Sequence, residues 1–298
     1  MHPDQLAALV AVVETGSFEG AARALHVTPS AVSQRIKALE RHWGRVLVVR
    51  ATPCRATPEG ATLLRLARQV DELRADAAEQ LDPDDGGRRR LAVVVNADSL
   101  ATWFGDVLAE AATWDDSTLE LFIEIEDHGT AHLRTGEAVA AITSDPAPVP
   151  GCTVMPLGVM RYLPVCTPAL RSRWSAADGS IDWAALPLVR FSAADDLQHR
   201  FLRGLGPAGP RQVEVEHLVP SSQAFAAAVR AGLGWGLLPE QQLGDGLRTG
   251  ELVRLPGAGG DTDYVDVHLA WQSWRLGSRR TARLTEAVQR AARRALRS

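Results

Sequence analysis

The stretch GSFEGAARALHVTPSAVSQRIKALE, residues 16–40, leaves little freedom in how the chain begins to fold. Upstream of it, Leu6, Leu9, Val10 and Val13 recur at i, i+3, i+4 and i+7, which predicts one buried face of a first helix. Gly16 ends that helix and Ser17 caps a second, whose buried face is Phe18, Ala21, Ala22 and Leu25. Thr28 caps a third helix with Pro29 in its first turn, where a missing N–H costs nothing. Val27 and Val32 occupy the staple positions around that cap, and Val32, Ile36 and Leu39 form the third buried stripe. Three short helices with a tight corner between the last two make a helix-turn-helix pattern. Val46–Arg50 and Arg55–Thr57, separated by Ala-Thr-Pro-Cys, predict a short two-stranded wing.

The face of the third helix opposite Val32, Ile36 and Leu39 carries Ser30, Gln34, Lys37 and Arg41, with Ser33 on its flank. Small and amide side chains at the N-terminal end can approach base edges, and cations further along can meet phosphates. With Thr28 and Pro29 at the helix start and Arg50 and Arg55 on the wing, this surface suits the major groove of double-stranded DNA. Arg35 falls nearer the core, which predicts an internal ion pair or a flanking phosphate contact. Residues 1–60 hold seven basic against five acidic residues, so the rest of the chain carries the whole net charge of −4 and more. A slightly basic head therefore precedes an acidic body.

Pro58 and Glu59 open a long helix in which Leu63, Leu66, Val70, Leu73 and Ala77 alternate at spacings of 3 and 4, with Leu81 beyond. That is a heptad seam, suited either to a second copy of the chain or to its own head. Asp82 to Arg90 is a polar linker containing Pro and Gly. Beyond it strands alternate with helices: LAVVV at 91–95, a helix over 99–112, LELFIEI at 119–125 and AVAAI at 138–142. YLPVC at 162–166, LVRF at 188–191, a helix over 222–231, WGLL at 235–238, VDVHLAW at 265–271 and a helix over 278–297 complete the series. The pattern predicts parallel sheets covered by helices, and its length suffices for two small lobes.

In such sheets ligands sit beyond the carboxyl ends of strands and at helix N-termini. This rule selects Asp98, Ser99 and Leu100 after the first strand, Asp127 and His128 after the second, and Asp145 after the third. In the second lobe it selects Ser221 and Ser222 at a helix start, with Asp195 and Asp196 beyond Phe191. Helix ends suit an α-carboxylate, and aspartates suit ammonium or guanidinium groups. Asp98, Ser99 and Ser222 also fit as ordinary helix caps, and Trp103 fits the core.

No catalytic group assembles. His128 and His132 form HxxxH without the glutamate of a zinc protease, and there is no GxSxG, no P-loop and no GxGxxG after a strand. Cys54, Cys152 and Cys166 have no ligand-like spacing, which predicts packing in a reducing compartment and neither metal nor cofactor. No apolar run reaches the roughly 18–20 residues of a membrane span, and MHPDQLAALV lacks the plan of a signal peptide. The expected location is the cytoplasm.

Residues 16–40 resemble the winged helix-turn-helix of LysR-type transcriptional regulators, and the resemblance extends along the whole chain. GLGWGLLPE (232–240) is similar to a Gly-rich stretch of that family. VLVVRATPCRATPEG (46–60), VNADSLATW (95–103) and VPSSQAF (219–225) resemble the LysG/ArgP branch, regulators of basic amino acid export. The resemblance implies a winged helix-turn-helix at 1–58, a linker and dimerisation helix with hinge at 59–90, and an effector domain at 91–298. That α/β domain would have two periplasmic-binding-protein-like lobes, about 91–161 plus 267–298 and about 162–266. It further implies a homodimer or homotetramer on a promoter operator, contact with RNA polymerase, and a lysine or arginine effector that activates an exporter gene. Another effector, a ligand-independent DNA-binding or replication-inhibiting role, and an enzyme on the same body are the alternatives.

Overall fold

A computed structural model describes residues 1–298 except 82–86, 125–129, 146, 207–208, 211 and 258–262. The head contains α1 (Pro3–Thr15), α2 (Phe18–Ala24) and α3 (Pro29–Trp43), followed by β1 (Val48–Val49) and β2 (Arg55–Ala56) in an antiparallel wing. The caps are those expected. Gly16 is left-handed with φ 68°, Ser17 Oγ accepts from Gly20 N, and Thr28 Oγ1 accepts from Ala31 N at 3.2 Å. Leu9, Val12, Ala21, Val32, Ile36 and Leu39 are fully buried together. The buried face of α1 centres on Leu9 and Val12, so Val10 and Val13 lie half-buried at its edge.

Next comes α4 (Pro58–Leu81). A Cβ at Gly60 would stand 2.0 Å from the Leu47 carbonyl oxygen, so only glycine lets this helix start against the wing. The heptad positions divide between two surroundings. Leu63 is buried in the head core with its neighbours Leu64 and Ala67, whereas Leu73, Ala77 and Leu81 are exposed, Leu81 by 88 %.

The body runs β3 (Arg89–Asn96), α5 (Ala97–Ala101), α6 (Gly105–Ala111), β4 (Ser117–Glu124), α7 (Ala131–Thr135) and β5 (Ala140–Thr143). Then come β6 (Cys152–Cys166), α8 (Pro168–Arg173), β7 (Leu188–Arg190), α9 (Leu197–Gly204), β8 (Glu216–Leu218) and α10 (Ser222–Arg230). It ends with β9 (Gly236–Pro239), α11 (Glu240–Leu243), α12 (Gly246–Thr249), β10 (Val253–Arg254), β11 (Val265–Trp274) and α13 (Arg279–Ala295). The helix expected over 99–112 is broken at Thr102, whose hydroxyl turns back to the Asp98 carbonyl at 2.6 Å. The strand expected at 162–166 is the last third of the fifteen-residue β6; Pro156 and Gly158 interrupt its apolar pattern upstream.

In the first lobe β3 lies between β4 and β5, parallel to both. In the second, β7 and β8 are parallel. The expectation of parallel sheets fails for β6 and β11, which pair antiparallel along their length and belong to both lobes. The last part of β11 joins β5 of the first lobe, and the last part of β6 joins β9 and β10 of the second. Each lobe is thus closed by strands leaving for the other, which requires opposite directions. The register of this pair shifts between Leu269 and Ala270, opposite Pro156 and Gly158, where the strands pass from one lobe to the other. In GLGWGLLPE, a Cβ on Gly234 would lie 2.6 Å from the Pro187 carbonyl, and one on Gly236 would lie 2.7 Å from the Phe225 ring. The glycines let β9 press against its neighbours.

Candidate functional site

On α3, Ser30, Gln34, Lys37 and Arg41 are all exposed, and Ser33 is half-exposed at their flank. Thr28 and Pro29 are exposed at the helix start, with Thr28 Oγ1 2.9 Å from Ser30 Oγ. Arg50 lies over the Phe18 ring at 4.9 Å, and Arg55 stands exposed on β2. These groups make up a polar, cationic set of exposed and half-exposed residues on the head. Arg35 is not part of it: its guanidinium pairs with Asp4 at 3.4 Å, the internal ion pair anticipated.

The body holds a cavity of about 930 Å³ between the lobes, a volume suited to a small molecule. Asn96 and Asp98 reach it from the end of β3, Tyr162 from β6, and Asp195, Gln198 and Arg200 from the second lobe. Asp98 is its hub. Tyr162 Oη donates to Asp98 Oδ2 at 2.7 Å, Ser222 Oγ donates to Oδ1 at 2.5 Å, and Gln242 Nε2 donates to Ser222 Oγ at 2.7 Å. One carboxylate from the first lobe is thereby tied to β6, α10 and α11. Burial pushes its pKa above the ordinary value, the two hydroxyl donors hold it down, and the charge of Asp195 pushes it up again.

The other cleft carboxylates are engaged differently. Asp266 forms a two-point pair with Arg161 at 2.8 and 2.7 Å, and Asp196 pairs with Arg203 at 3.1 and 2.5 Å. Both are held below the ordinary range by those arginines. Asp195, 8 % exposed, accepts from the backbone N–H groups of Phe191 (3.2 Å) and Leu197 (2.9 Å). Arg190 binds the Asp195 carbonyl, not its carboxylate. Among the described residues, neither Asp98 nor Asp195 pairs with a side-chain cation.

Residues 3–61 match the family model for the bacterial regulatory helix-turn-helix protein of the lysR family, and residues 84–293 match that for the LysR substrate binding domain. The chain belongs to the LysR family. This LysR-family chain is 47 % identical over 297 residues to the lysine export transcriptional regulatory protein LysG of Corynebacterium glutamicum, covering 98 % of each. It is 40 % identical to the transcriptional regulator ArgP of Pseudomonas aeruginosa, over 94 % of this chain and 92 % of that one. A full-length structure of the C. glutamicum LysG with bound effector arginine superposes with a TM-score of 0.88 at 45 % identity, covering all of both chains. ArgP from Mycobacterium tuberculosis gives the same TM-score at 44 % identity, over 99 % of this chain and 98 % of that one. The chain is therefore a DNA-binding transcriptional regulator with a two-lobed effector domain.

In this LysR regulator the cleft residues named from sequence separate into groups. Asp98 and Ser222 meet in one network, with Asp195 close enough to act on it. Ser221 is the exposed cap of α10, accepting from Ala224 N at 3.4 Å. Ser99 is fully buried inside α5 with its hydroxyl unpartnered, and Leu100 packs on the core beneath it. Asp145 is exposed in the loop after β5, folding its carboxylate onto Ala147 N at 2.8 Å; its neighbour Ser144 lines the cavity instead. Trp103 is core, 5 % exposed. Asp127 and His128 lie outside the described residues; His132 stacks on Phe122 at 4.3 Å and bonds Glu137 at 2.7 Å. Sequence reasoning missed Tyr162, Gln198, Arg200 and Gln242. Tyr162 lies at the start of a strand candidate, and the others lie on the short helices α9 and α11, away from the strand ends and helix starts that the rule selects.

The cysteines are packed away. Burial raises the Cys152 thiol and pushes Cys166 up to about 11, so both stay protonated. Among the described residues no helix is long and apolar enough to cross a membrane.

Proposed function

We propose that this LysR-type regulator senses a basic amino acid, L-lysine or L-arginine, in the cleft between its lobes and activates an exporter gene. The observation that carries this reading is the approach of Asp98 and Asp195, from opposite lobes, to one cavity, with neither carboxylate in an ion pair among the described residues. Two partly dehydrated carboxylates repel, and a ligand ammonium or guanidinium relieves that repulsion through charge-assisted hydrogen bonds. A neutral or anionic effector offers no such relief. Bound arginine in the C. glutamicum LysG supports the same chemistry.

Residues 1–58 form the DNA-reading head on this account, 59–90 the connecting helix and hinge, and 91–298 the effector body. Ser30, Ser33 and Gln34 approach base edges, while Thr28, Pro29, Lys37, Arg41, Arg50 and Arg55 meet the backbone. Exposed Leu73, Ala77 and Leu81 pair with a second copy, so that two heads span two half-sites. The chain works in the cytoplasm, where the promoter and RNA polymerase are. Ligand acts by binding one arrangement of the lobes more tightly than another. Arg68 offers the route: it donates to Glu14 in the head at 2.9 Å and to the Thr135 carbonyl on α7 at 2.9 Å.

A thermal-shift titration with the twenty amino acids, singly, tests the reading. A ligand at a hundredfold excess over its Kd adds about 2.7 kcal/mol to the folded state. Selective stabilisation by lysine or arginine is expected. A shift with an apolar or acidic amino acid instead, or with none, refutes it.

A further inference from the structure

The cleft also contains a cation that the carboxylate chemistry does not use. Arg200 on α9 lines the cavity, is exposed to it, and makes no side-chain hydrogen bond or ion pair among the described residues. The carboxylate nearest along the chain, Asp196, is already held by Arg203 at 3.1 and 2.5 Å. Two residues before Arg200 on the same helix, Gln198 lines the cavity while only 1 % exposed, and its Oε1 has no partner. A buried amide acceptor left unpaired is costly and is kept where something else completes it. Asp98 lines the same cavity, and among the described residues the hydrogen bonds to its carboxylate come from hydroxyls. The cleft thus holds both signs of charge: Arg200 acts on Asp196 and on the Tyr162 hydroxyl that binds Asp98, yet among the described residues no carboxylate holds it in an ion pair.

We propose that α9 is the second-lobe wall of the effector site, with Arg200 holding the effector's α-carboxylate and the unpartnered Gln198 Oε1 accepting from its α-ammonium. The inference rests on the basic-amino-acid reading above. A guanidinium meets a carboxylate through two parallel N–H···O bonds, which fixes orientation as well as affinity. The ligand then lies with its cationic end at Asp98 and Asp195 and its carboxylate at Arg200. The site accepts amino acids and discriminates against the corresponding amines.

Isothermal titration of the full chain with L-arginine and agmatine, its decarboxylated counterpart, tests this, with L-lysine and cadaverine as a second pair. Wild type is expected to bind the amino acid about ten- to a hundredfold more tightly than the amine. Arg200→Gln is expected to lose that factor for the amino acid and to leave the amine unchanged. Equal loss for both ligands, or no loss for the amino acid, overturns the assignment. Wild type binding the amine as tightly as the amino acid overturns it too, while leaving the carboxylate pair intact. Wild type binding neither lysine nor arginine removes the basic-amino-acid reading itself.

Discussion

The recognition helix and the cleft handle polar groups in opposite ways. On α3, Gln34 and Lys37 project into solvent, and among the described residues no protein partner restrains their side chains. In the cleft, Asp98 is fixed by Tyr162 and Ser222, and Ser222 in turn by Gln242. Free side chains suit a hydrated polyanion, because nothing must be broken before phosphates and base edges are met. A network preassembled from two lobes suits a small ligand, because its geometry is set before binding and its unpaired charges supply the drive. The two surfaces are joined through α4, one end packed in the head core and its middle touching the first lobe through Arg68.

If the two regions are separable, a change in either leaves the other's ligand untouched, and a change in the link disturbs only the response. The largest effect is expected from Leu73→Asp, which puts charge on the exposed seam of α4. Loss of the second head removes the gain from simultaneous engagement, about a hundredfold or more in operator affinity. Sedimentation should show a smaller species; an unchanged oligomer would place the seam elsewhere.

Asp98→Asn comes next. It should weaken arginine or lysine binding about tenfold to a hundredfold by calorimetry, with operator binding in the absence of effector unchanged. It also carries a stability signature. Asp98 has a folded pKa above its unfolded one, so its stabilising contribution is complete below the unfolded value and is lost as pH rises through the folded one. Asparagine removes that dependence, so the variant's melting temperature should gain on wild type from acid to neutral pH. A variant that instead loses stability relative to wild type from acid to neutral pH would contradict the account of an Asp98 raised by burial.

Gln34→Ala should cost about 1–3 kcal/mol at one operator position and relax preference there, with the thermal response to effector intact. Lys37→Ala should have the smallest and least selective effect. It reduces the magnitude of the salt slope of operator binding by about 1 and weakens all sequences alike. Position-specific loss on Lys37→Ala would exchange the two assignments.

The same contrast explains what was legible in the sequence. The head is local: Gly16, Ser17 and Thr28 mark each boundary, and one apolar stripe per helix fixes which residues face out. The long strands were harder. Pro156 and Gly158 break the apolar pattern of β6 at the place where it leaves one lobe for the other, so only its end was recognised. The cleft was half legible. Asp98 and Ser222 follow from strand ends and helix starts, but their meeting joins positions 124 residues apart. Ser99, beside Asp98, points into the core because five residues of α5 turn it inward. Arg200 and Gln198 lie on a short helix whose cleft-facing side has no sequence signature.

The central claim is that Asp98 and Asp195 make this cleft a receptor for a cation. Calorimetric titration of the full chain with L-arginine and with L-citrulline, which keeps the shape and the α-groups but lacks the guanidinium charge, tests it most directly. The account predicts binding of arginine at least about tenfold tighter than citrulline, with the preference reduced in Asp98→Asn. Equal affinity for the two, or tighter binding of citrulline, would contradict it.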